Sequence, residues 1–204
     1  MLKARIAVFV SGGGTNLQAL IDSVNREDIK DGEIALVVSG KKDAYALKRA
    51  EENGIPAETV VRRDFASQDA YEDRLSEIID KEQIDLIVLA GFMSILSGRF
   101  TGRYAGKIIN IHPSLIPSFC GKGFYGLKVH EAALEYGVKV TGATVHFVNE
   151  IPDGGRIIMQ KAVEVLPGDT PEILQRRVME EAEWKILPEA TQQICEKIVA
   201  EKQT

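Results

Sequence analysis

The sequence predicts an α/β fold in which a mostly parallel, twisted sheet carries helices on both faces and ends in an antiparallel strand pair. Short apolar, β-branched runs alternate along the chain with segments whose apolar residues recur at helical spacing. Strands of this buried type are typical of parallel sheets covered on both faces. Near the C-terminus, the extended runs 138–148 and 156–165 flank a turn-rich segment, 149–155, which favours an antiparallel pair.

The predicted elements follow one another without a repeat, a low-complexity tract or a linker. Strands are predicted at Ala4 to Val10, Glu33 to Ser39, Ala57 to Val61, Asp85 to Ala90, Lys107 to Ile111, Val138 to Val148 and Arg156 to Val165. Helices are predicted at 17–24, 44–53, 67–82, 129–136 and from Thr170 onward, with a short helix near Met93 to Arg99. Pro188 is expected to break or kink the last helix. We expect residues 1–204 to form a single domain.

The composition excludes several classes of protein. Hydrophobic residues make up 45% of the chain and charged residues 27%, which is an ordinary globular balance. A formal net charge of -5 argues against a nucleic-acid partner held by bulk positive charge. Cys120 and Cys195 form no CxxC pair, so neither a disulfide framework nor a metal site is expected. Apolar runs are too short for a membrane span and no signal-like segment precedes the first strand, so we expect a cytoplasmic protein.

A glycine-rich turn, residues 11–16, joins the first predicted strand to the first predicted helix. Such a turn presents backbone N–H groups at a helix N-terminus, where Gly14, Thr15 and Asn16 could hold a phosphate. No lysine follows the glycines, and Leu17 stands where a dinucleotide motif has its third glycine, so a monophosphate fits better. A tight turn that needs glycine only for its backbone angles is an equally good interpretation of this segment alone.

Asn110 and His112 lie at the C-terminal end of the fifth predicted strand, where open α/β sheets bind ligands. Two residues apart on an extended segment, they point to the same side. Together they could stabilise an oxyanion and exchange a proton. Asp153 precedes two glycines and would raise the pKa of a neighbouring histidine. Taken singly, Asn110 and His112 are better explained by a turn hydrogen bond and a structural histidine, and Asp153 by an ordinary turn.

The segment 89–96 opens a central strand into an apolar loop. At the functional edge of the sheet, an apolar loop could line a pocket for a flat ring. When the segment is considered alone, ordinary core packing explains it better.

The combination of these motifs resembles the phosphoribosylglycinamide formyltransferases of purine synthesis. The matching runs are S-G-G-G-T-N-L near the N-terminus, L-A-G-F-M, N-I-H-P-S-L-I-P, T-G-A-T-V-H-F-V and D-G-G, in the same order over essentially the whole chain. The resemblance implies a Rossmann-like formyltransferase fold. It also implies formyl transfer from 10-formyltetrahydrofolate to the amino group of glycinamide ribonucleotide, with no metal.

The resemblance also implies roles for individual residues. Asn110, His112 and Asp153 match the catalytic trio of the family. Gly14, Thr15 and Asn16 match its substrate-phosphate site, and Glu180 and Glu183 fall near its sugar-phosphate contacts. Residues expected around the folate are Met93, Ser94, Ile95, Leu96, Asn110, Asn149, Glu150, Ile151, Pro152 and Asp153, with Gln68 as a further contact. In the implied mechanism, Asn110 and protonated His112 stabilise the oxyanion, and Asp153 keeps His112 charged.

Three departures from the family pattern concern ligand contacts. Ser94 and Gln68 stand where many members carry arginine, which puts the details of folate binding in doubt. The segment Ser118 to Lys128 is longer and richer in glycine than usual, and we expect it to form a mobile flap over the site. Cys120 lies in this flap, where no activating base is specified for it.

Other functions remain open at this point. A methionyl-tRNA formyltransferase or a formyltetrahydrofolate hydrolase would share the catalytic trio, but both are expected to carry added domains or modules. A phosphate-binding module without enzymatic activity would leave Asn110, His112 and Asp153 without purpose. We expect small-molecule substrates only, and either a monomer or a homodimer.

Overall fold

The computed structural model describes residues 2–203. The strands are β1 (Ala4–Val10), β2 (Gly32–Ser39), β3 (Ala57–Thr59), β4 (Leu86–Leu89), β5 (Ile108–His112), β6 (Val140–Phe147) and β7 (Ile157–Glu164). The helices are α1 (Thr15–Asn25), α2 (Tyr45–Glu52), α3 (Gln68–Lys81), α4 (Gly98–Arg103), α5 (Leu127–Tyr136), α6 (Pro171–Val178) and α7 (Trp184–Lys202). Each of the seven predicted strands is present, although β3 is shorter than expected.

All these strands belong to one sheet with the order β3-β2-β1-β4-β5-β6-β7. Strands β1 to β5 run parallel, and β6 and β7 are antiparallel to their neighbours, as predicted. The chain winds outward from β1 to β3 and then returns to the other side of β1 through β4. The loops that follow β1 and β4 therefore diverge, and such a switch point opens a crevice for ligands.

The sheet is buried on both faces because consecutive residues of its central strands are apolar and point alternately to one face and the other. In β1, Ile6, Val8 and Val10 join the hydrophobic cluster that includes residues of α1 and α7. Ala7 and Phe9 point to the opposite face and join the cluster that includes residues of α3 and α4. The predicted α/β architecture with helices on both faces is confirmed, and the central strands form a rigid base for the loops at their carboxyl ends.

The short helix predicted near Met93 to Arg99 is wrong in position. Residues 91–97 form an irregular loop, and α4 begins only at Gly98. The Ser97 side chain accepts a hydrogen bond from the Phe100 N–H and caps α4 there. Because Glu72 of α3 binds both the N–H and the hydroxyl of Ser97, the helix cannot extend backward.

Pro188 does not break the last helix, contrary to one of the two expected outcomes. Helix α7 continues through Pro188, and the irregularity lies upstream, in a π-helical turn at Met179–Glu183. A proline removes the donor to the carbonyl four residues earlier, which here belongs to Trp184, the first residue after that turn. The missing hydrogen bond therefore falls at an existing junction between two helix geometries.

The segment expected to form a flap, Ser118 to Lys128, ends two residues earlier than predicted. Helix α5 begins at Leu127, so Leu127 and Lys128 belong to a helix and residues 113–126 form the irregular segment. Within residues 2–203, no helix is long and apolar enough to cross a membrane.

Candidate active site

Asn110, His112 and Asp153 lie together at the carboxyl end of β5. Asn110 and His112 point to the same side of the strand, and Asp153 reaches them from the loop between β6 and β7. Asp153 Oδ2 lies 3.5 Å from His112 Nδ1, and Asp153 Oδ1 lies 3.5 Å from Asn110 Nδ2. The arrangement places an amide, an imidazole and a carboxylate around one point, which suits oxyanion stabilisation and proton management.

His146 is a fourth member of this group that sequence reasoning missed. The antiparallel register of β5 and β6 pairs Asn110 directly with His146. His146 Nε2 lies 3.1 Å from Asn110 Nδ2 and 3.6 Å from Asp153 Oδ1. Its Nδ1 lies 2.8 Å from the Phe147 carbonyl oxygen, and this contact fixes the orientation of the ring. The T-V-H-F-V run was the available signal, but only the strand register assigns His146 to the group.

The Asp-Gly-Gly run, residues 153–155, allows a loop conformation that larger side chains would prevent. Asp153 adopts a positive φ of 56°, which is uncommon outside glycine. A Cβ on Gly155 would collide with the Phe147 carbonyl oxygen, so the loop can pass β6 this closely only with glycine there. The Gly121 N–H of the irregular segment 113–126 then donates to Asp153 Oδ2 at 2.8 Å. The loop that carries Asp153 and the irregular segment 113–126 thus together determine the position of the carboxylate.

The electrostatics of His112 differ from expectation. The side chain is only 5% exposed, and this burial lowers the pKa of His112 below its ordinary value of 6.5. Asp153 and a hydrogen bond to the Phe119 carbonyl raise the pKa but do not outweigh burial. Asp153 therefore acts in the expected direction, yet burial outweighs it and the pKa of His112 stays below 6.5.

Both ring nitrogens of His112 nevertheless face acceptors. Nε2 lies 2.9 Å from the Phe119 carbonyl oxygen, and Nδ1 faces Asp153. This geometry fits an imidazolium, which donates from both nitrogens. For Asp153, burial raises the pKa, but the hydrogen bond from His146, the charge of His112 and the Gly121 N–H together lower it below its usual value. The carboxylate is thus ionised and can stabilise a positive charge that develops on the imidazole.

A mostly apolar cavity of about 530 Å³ opens in front of this group. Loops 91–96, 121–126 and 149–153 line it, together with the ends of β5 and β6. The lining includes all ten residues expected around the folate: Met93, Ser94, Ile95, Leu96, Asn110, Asn149, Glu150, Ile151, Pro152 and Asp153. Gln68 is not part of the lining, because its side chain turns to Glu72 and to the Ile95 carbonyl.

The glycine-rich turn after β1 lies beside the cavity and packs against α2. Gly14 has a φ of 71°, and a Cβ at this position would lie 2.7 Å from the Ala46 Cβ. The carbonyls of Gly12 and Gly13 point toward α2, where they accept from the Ala46 N–H and from Arg49 Nε. Since the C=O and the N–H of one peptide point in opposite directions, the following N–H groups of Gly13 and Gly14 are directed away from α2. The turn thereby gains the form of an anion-binding nest.

Of the two glutamates expected near the sugar-phosphate, the structure brings only Glu183 to the glycine-rich turn. Glu183 is buried, and its Oε2 accepts from Asn16 Nδ2 at 2.6 Å. Burial raises the pKa of this carboxyl, and the hydrogen bond from Asn16 opposes the shift. Thr15 contacts Met179 of the same π-helical turn. Glu180 lies on the outer face and pairs with Arg176 at 2.9 Å.

Metal ligands and cysteine thiols are the other reactive groups that such a site could use. Among residues 2–203, no group of three or more His, Cys, Asp or Glu side chains is arranged to hold a metal ion. Both cysteines are free, and burial together with the charge of Asp153 raises the pKa of the Cys120 thiol. A raised pKa disfavours the thiolate form that a cysteine nucleophile needs.

Comparison with known proteins identifies the group of enzymes that shares these features. The family model described as formyl transferase matches residues 4–191. The phosphoribosylglycinamide formyltransferase of Haemophilus influenzae is 44% identical over 90% of this chain and 84% of its own length. The trifunctional purine biosynthetic protein adenosine-3 of Bos taurus is 46% identical over 95% of this chain, which spans only 18% of that longer relative.

Solved structures give the same result. Glycinamide ribonucleotide transformylase 1 from Symbiobacterium toebii has a TM-score of 0.89 and 42% identity, covering 96% of this chain and 89% of that one. Phosphoribosylglycinamide formyltransferase from Brucella melitensis has a TM-score of 0.86 and 44% identity, with 95% and 96% covered. The chain therefore belongs to the formyl transferase family, within the group of the phosphoribosylglycinamide formyltransferases.

Proposed function

We propose that this chain transfers the formyl group of 10-formyltetrahydrofolate to the amino group of N1-(5-phosphoribosyl)glycinamide, a step of de novo purine biosynthesis. The products are formylglycinamide ribonucleotide and tetrahydrofolate. The observation that carries the proposal is the group of Asn110, His112 and Asp153 at the end of an apolar cavity, beside an anion-binding turn. In this proposal residues 1–204 act as one cytoplasmic domain, as a monomer or a homodimer.

The two ligands would occupy different parts of the crevice. The phosphate of the ribonucleotide binds at residues 11–16, where first-turn amides of α1 and the dipole of the helix favour an anion. Glu183 lies behind Asn16 and accepts hydrogen bonds, so it suits the ribose hydroxyls. The pterin ring binds in the cavity between loops 91–96 and 149–153. The Met93 N–H donates a hydrogen bond to the Ser11 hydroxyl at 3.0 Å, and this bond links the two subsites.

The chemistry begins when the neutral glycyl amine attacks the formyl carbon. A tetrahedral adduct forms with negative charge on the formyl oxygen, and the Asn110 amide and the His112 ring donate hydrogen bonds to it. One donor of this kind is worth about 3–4 kcal/mol of barrier. The adduct collapses by breaking the bond from carbon to folate N10, and the proton of the attacking amine passes to that nitrogen through water. Atoms and charge balance without a covalent enzyme intermediate.

The Phe119 carbonyl indicates where the oxyanion would sit relative to His112. This neutral acceptor lies 2.9 Å from Nε2. When an oxyanion replaces it, the pKa of His112 rises, because a full negative charge favours the imidazolium far more than a carbonyl dipole does. Asp153 stabilises that imidazolium from Nδ1. His112 is thus neutral before the attack, takes up a proton from solvent as the oxyanion develops, and returns it when the adduct collapses, so its interaction is strongest when it is needed.

A direct assay tests the proposal. Purified protein is mixed with 10-formyltetrahydrofolate and glycinamide ribonucleotide, and folate absorbance is followed with time. We expect turnover that requires the ribonucleotide, and weak turnover with the matched acceptor that lacks the phosphate. Formate release without any acceptor would instead identify a hydrolase. No turnover with either acceptor would refute the proposed function.

A further inference from the structure

Glu72 is a buried carboxylate for which the proposed reaction has no role. It lies in α3, and its side chain is 0% exposed to solvent. Its Oε1 accepts hydrogen bonds from the Gln68 amide at 2.6 Å and from the Ser97 N–H at 2.7 Å. Its Oε2 accepts from the Ser97 hydroxyl at 2.5 Å and lies 3.8 Å from the Arg99 guanidinium. Both oxygens are thus directed to the end of the loop that precedes α4.

Ser97 is the last residue of the pocket loop, which we define as residues 91–97. Residues 91–96 of this loop line the cavity. At the other end of the loop, the Met93 N–H is held by the Ser11 hydroxyl. The loop forms neither helix nor strand, so hydrogen bonds to side chains of neighbouring elements determine its shape.

Gln68 connects Glu72 to the middle of the pocket loop. Its amide nitrogen donates to Glu72 and, at 3.1 Å, to the Ile95 carbonyl. Its oxygen accepts from Arg62 Nε at 2.7 Å. Gln68 thus joins Arg62, Glu72 and the pocket loop into one chain of hydrogen bonds.

Helix capping alone does not account for Glu72. The Ser97 hydroxyl already caps α4 by accepting from the Phe100 N–H at 3.4 Å, and a serine cap needs no carboxylate behind it. Burying a carboxylate is unfavourable unless its hydrogen bonds are satisfied, and the nearest cation, Arg99, is half exposed. What the carboxylate adds is a fixed direction for the Ser97 peptide and hydroxyl, and hence for the end of the pocket loop.

We propose that Glu72 is a positioning residue for folate, which holds the pocket loop in the shape that receives the ring. This inference rests on the proposed function, because it assigns the folate ring to the cavity that the loop lines. Glu72 touches neither substrate in this proposal and acts through Ser97 and Gln68. Loss of the carboxylate should therefore weaken folate binding and leave the ribonucleotide site and the chemical step nearly intact.

The test compares Glu72→Ala with Glu72→Gln in steady-state kinetics of the full chain. We expect Glu72→Ala to raise the KM for 10-formyltetrahydrofolate about tenfold, because the Ser97 N–H loses its buried acceptor. The KM for the ribonucleotide and kcat should change less than about twofold. Glu72→Gln should restore most of the affinity, since its amide oxygen still accepts from the Ser97 N–H.

Asp169→Ala serves as the matched control for general destabilisation. Asp169 is also a largely buried carboxylate with several hydrogen bonds, to Arg177 and the Leu166 N–H, but it lies outside the cavity lining. We expect a lowered Tm and an unchanged folate KM. If Glu72→Ala does not fold, Ser97→Ala replaces it, with an expected rise of about threefold in folate KM.

Hydrogen exchange separates this inference from the proposed function. In Glu72→Ala, amides of residues 92–97 should exchange faster while those of α6 stay unchanged, whether or not the protein has formyltransferase activity. Wild-type protein without turnover would refute the function alone. Unchanged exchange in the pocket loop, or a folate KM that rises no more than in Asp169→Ala, would overturn the positioning role.

Discussion

The proposed anion-binding turn and the proposed catalytic group are built in opposite ways. The turn, residues 11–16, is one continuous run whose functional groups are backbone amides, held by contacts with α2. The catalytic group takes Asn110 and His112 from β5, His146 from β6 and Asp153 from the following loop. The turn therefore depends on which positions are glycine, and the catalytic group depends on which side chains the strand register brings together.

Because of this difference, we expect the two regions to respond differently to substitutions. Backbone donors at a helix N-terminus are oriented by the fold itself and tolerate side-chain changes that leave φ and ψ intact. Side-chain donors in a buried group have no substitute when they are removed, because the remaining polar atoms lose their partners. Substitutions in the turn should change binding, and substitutions in the catalytic group should change turnover.

The largest effect is expected from His112→Ala. We expect kcat/KM to fall by about 10³, because the ring donates to charge that develops in the transition state. Affinity for both ligands, measured by calorimetry with a non-reacting folate, should change little. An equal loss of folate affinity would mean that His112 serves binding, and the contrast between the two regions would fail there.

A smaller effect is expected from Gly14→Ala in the turn. The positive φ and the close approach to Ala46 strain any side chain at this position, so the KM for the ribonucleotide should rise about tenfold. Folate KM should stay unchanged. Gly13→Ala is the matched control, since a Cβ at that position meets no atom within 4 Å. Similar KM values for the two variants would show that backbone geometry does not determine anion binding.

The smallest effect is expected from mild acid, which should lower the free energy of unfolding through buried histidines near the proposed catalytic group. His130 of α5 is buried and lacks a hydrogen-bond partner at either ring nitrogen among residues 2–203. Burial, aided by the charge of His112, lowers the pKa of His130 to about 4. The unfolded chain then binds the proton more readily below pH 6.5, so acidification lowers the free energy of unfolding.

Between pH 6.5 and 5.5 this loss should be roughly 1 kcal/mol, with His112 contributing in the same direction. Asp153 does not contribute in this window, because its lowered pKa makes its stabilisation complete above the unfolded value of 3.8. Urea unfolding at several pH values measures the slope. His130→Leu should reduce the slope of unfolding free energy against pH. A slope unchanged by this substitution would contradict the assignment of the pH dependence to His130.

The comparison also explains how much the sequence could predict. Periodicity predicted the seven strands and the antiparallel pair, because buried strands leave a local pattern of apolar residues. The glycine-rich turn was recognisable for the same reason, since all its determinants are neighbours in sequence. The spacing singled out Asn110 and His112 as candidates, and their proposed catalytic roles come from the family resemblance.

What could not be predicted depends on long-range contacts. His146 joins the catalytic group only through the pairing of β5 with β6. The start of α4 depends on Glu72, which is 25 residues from Ser97 in sequence. The pKa of His112 follows from burial, which no motif encodes. The hydrogen bond from Asn16 to Glu183 also joins distant segments, and it distinguishes Glu183 from Glu180.

A double-mutant cycle on His112 and Asp153 tests the central claim most directly. The kcat/KM for formyl transfer is measured near neutral pH for wild type, His112→Ala, Asp153→Ala and the double variant. Because Asp153 acts by stabilising the imidazolium of His112, removing it should cost little once His112 is gone, so the losses should be strongly non-additive. Fully additive losses would mean that the two residues act independently, and the proposed role of Asp153 would have to be abandoned.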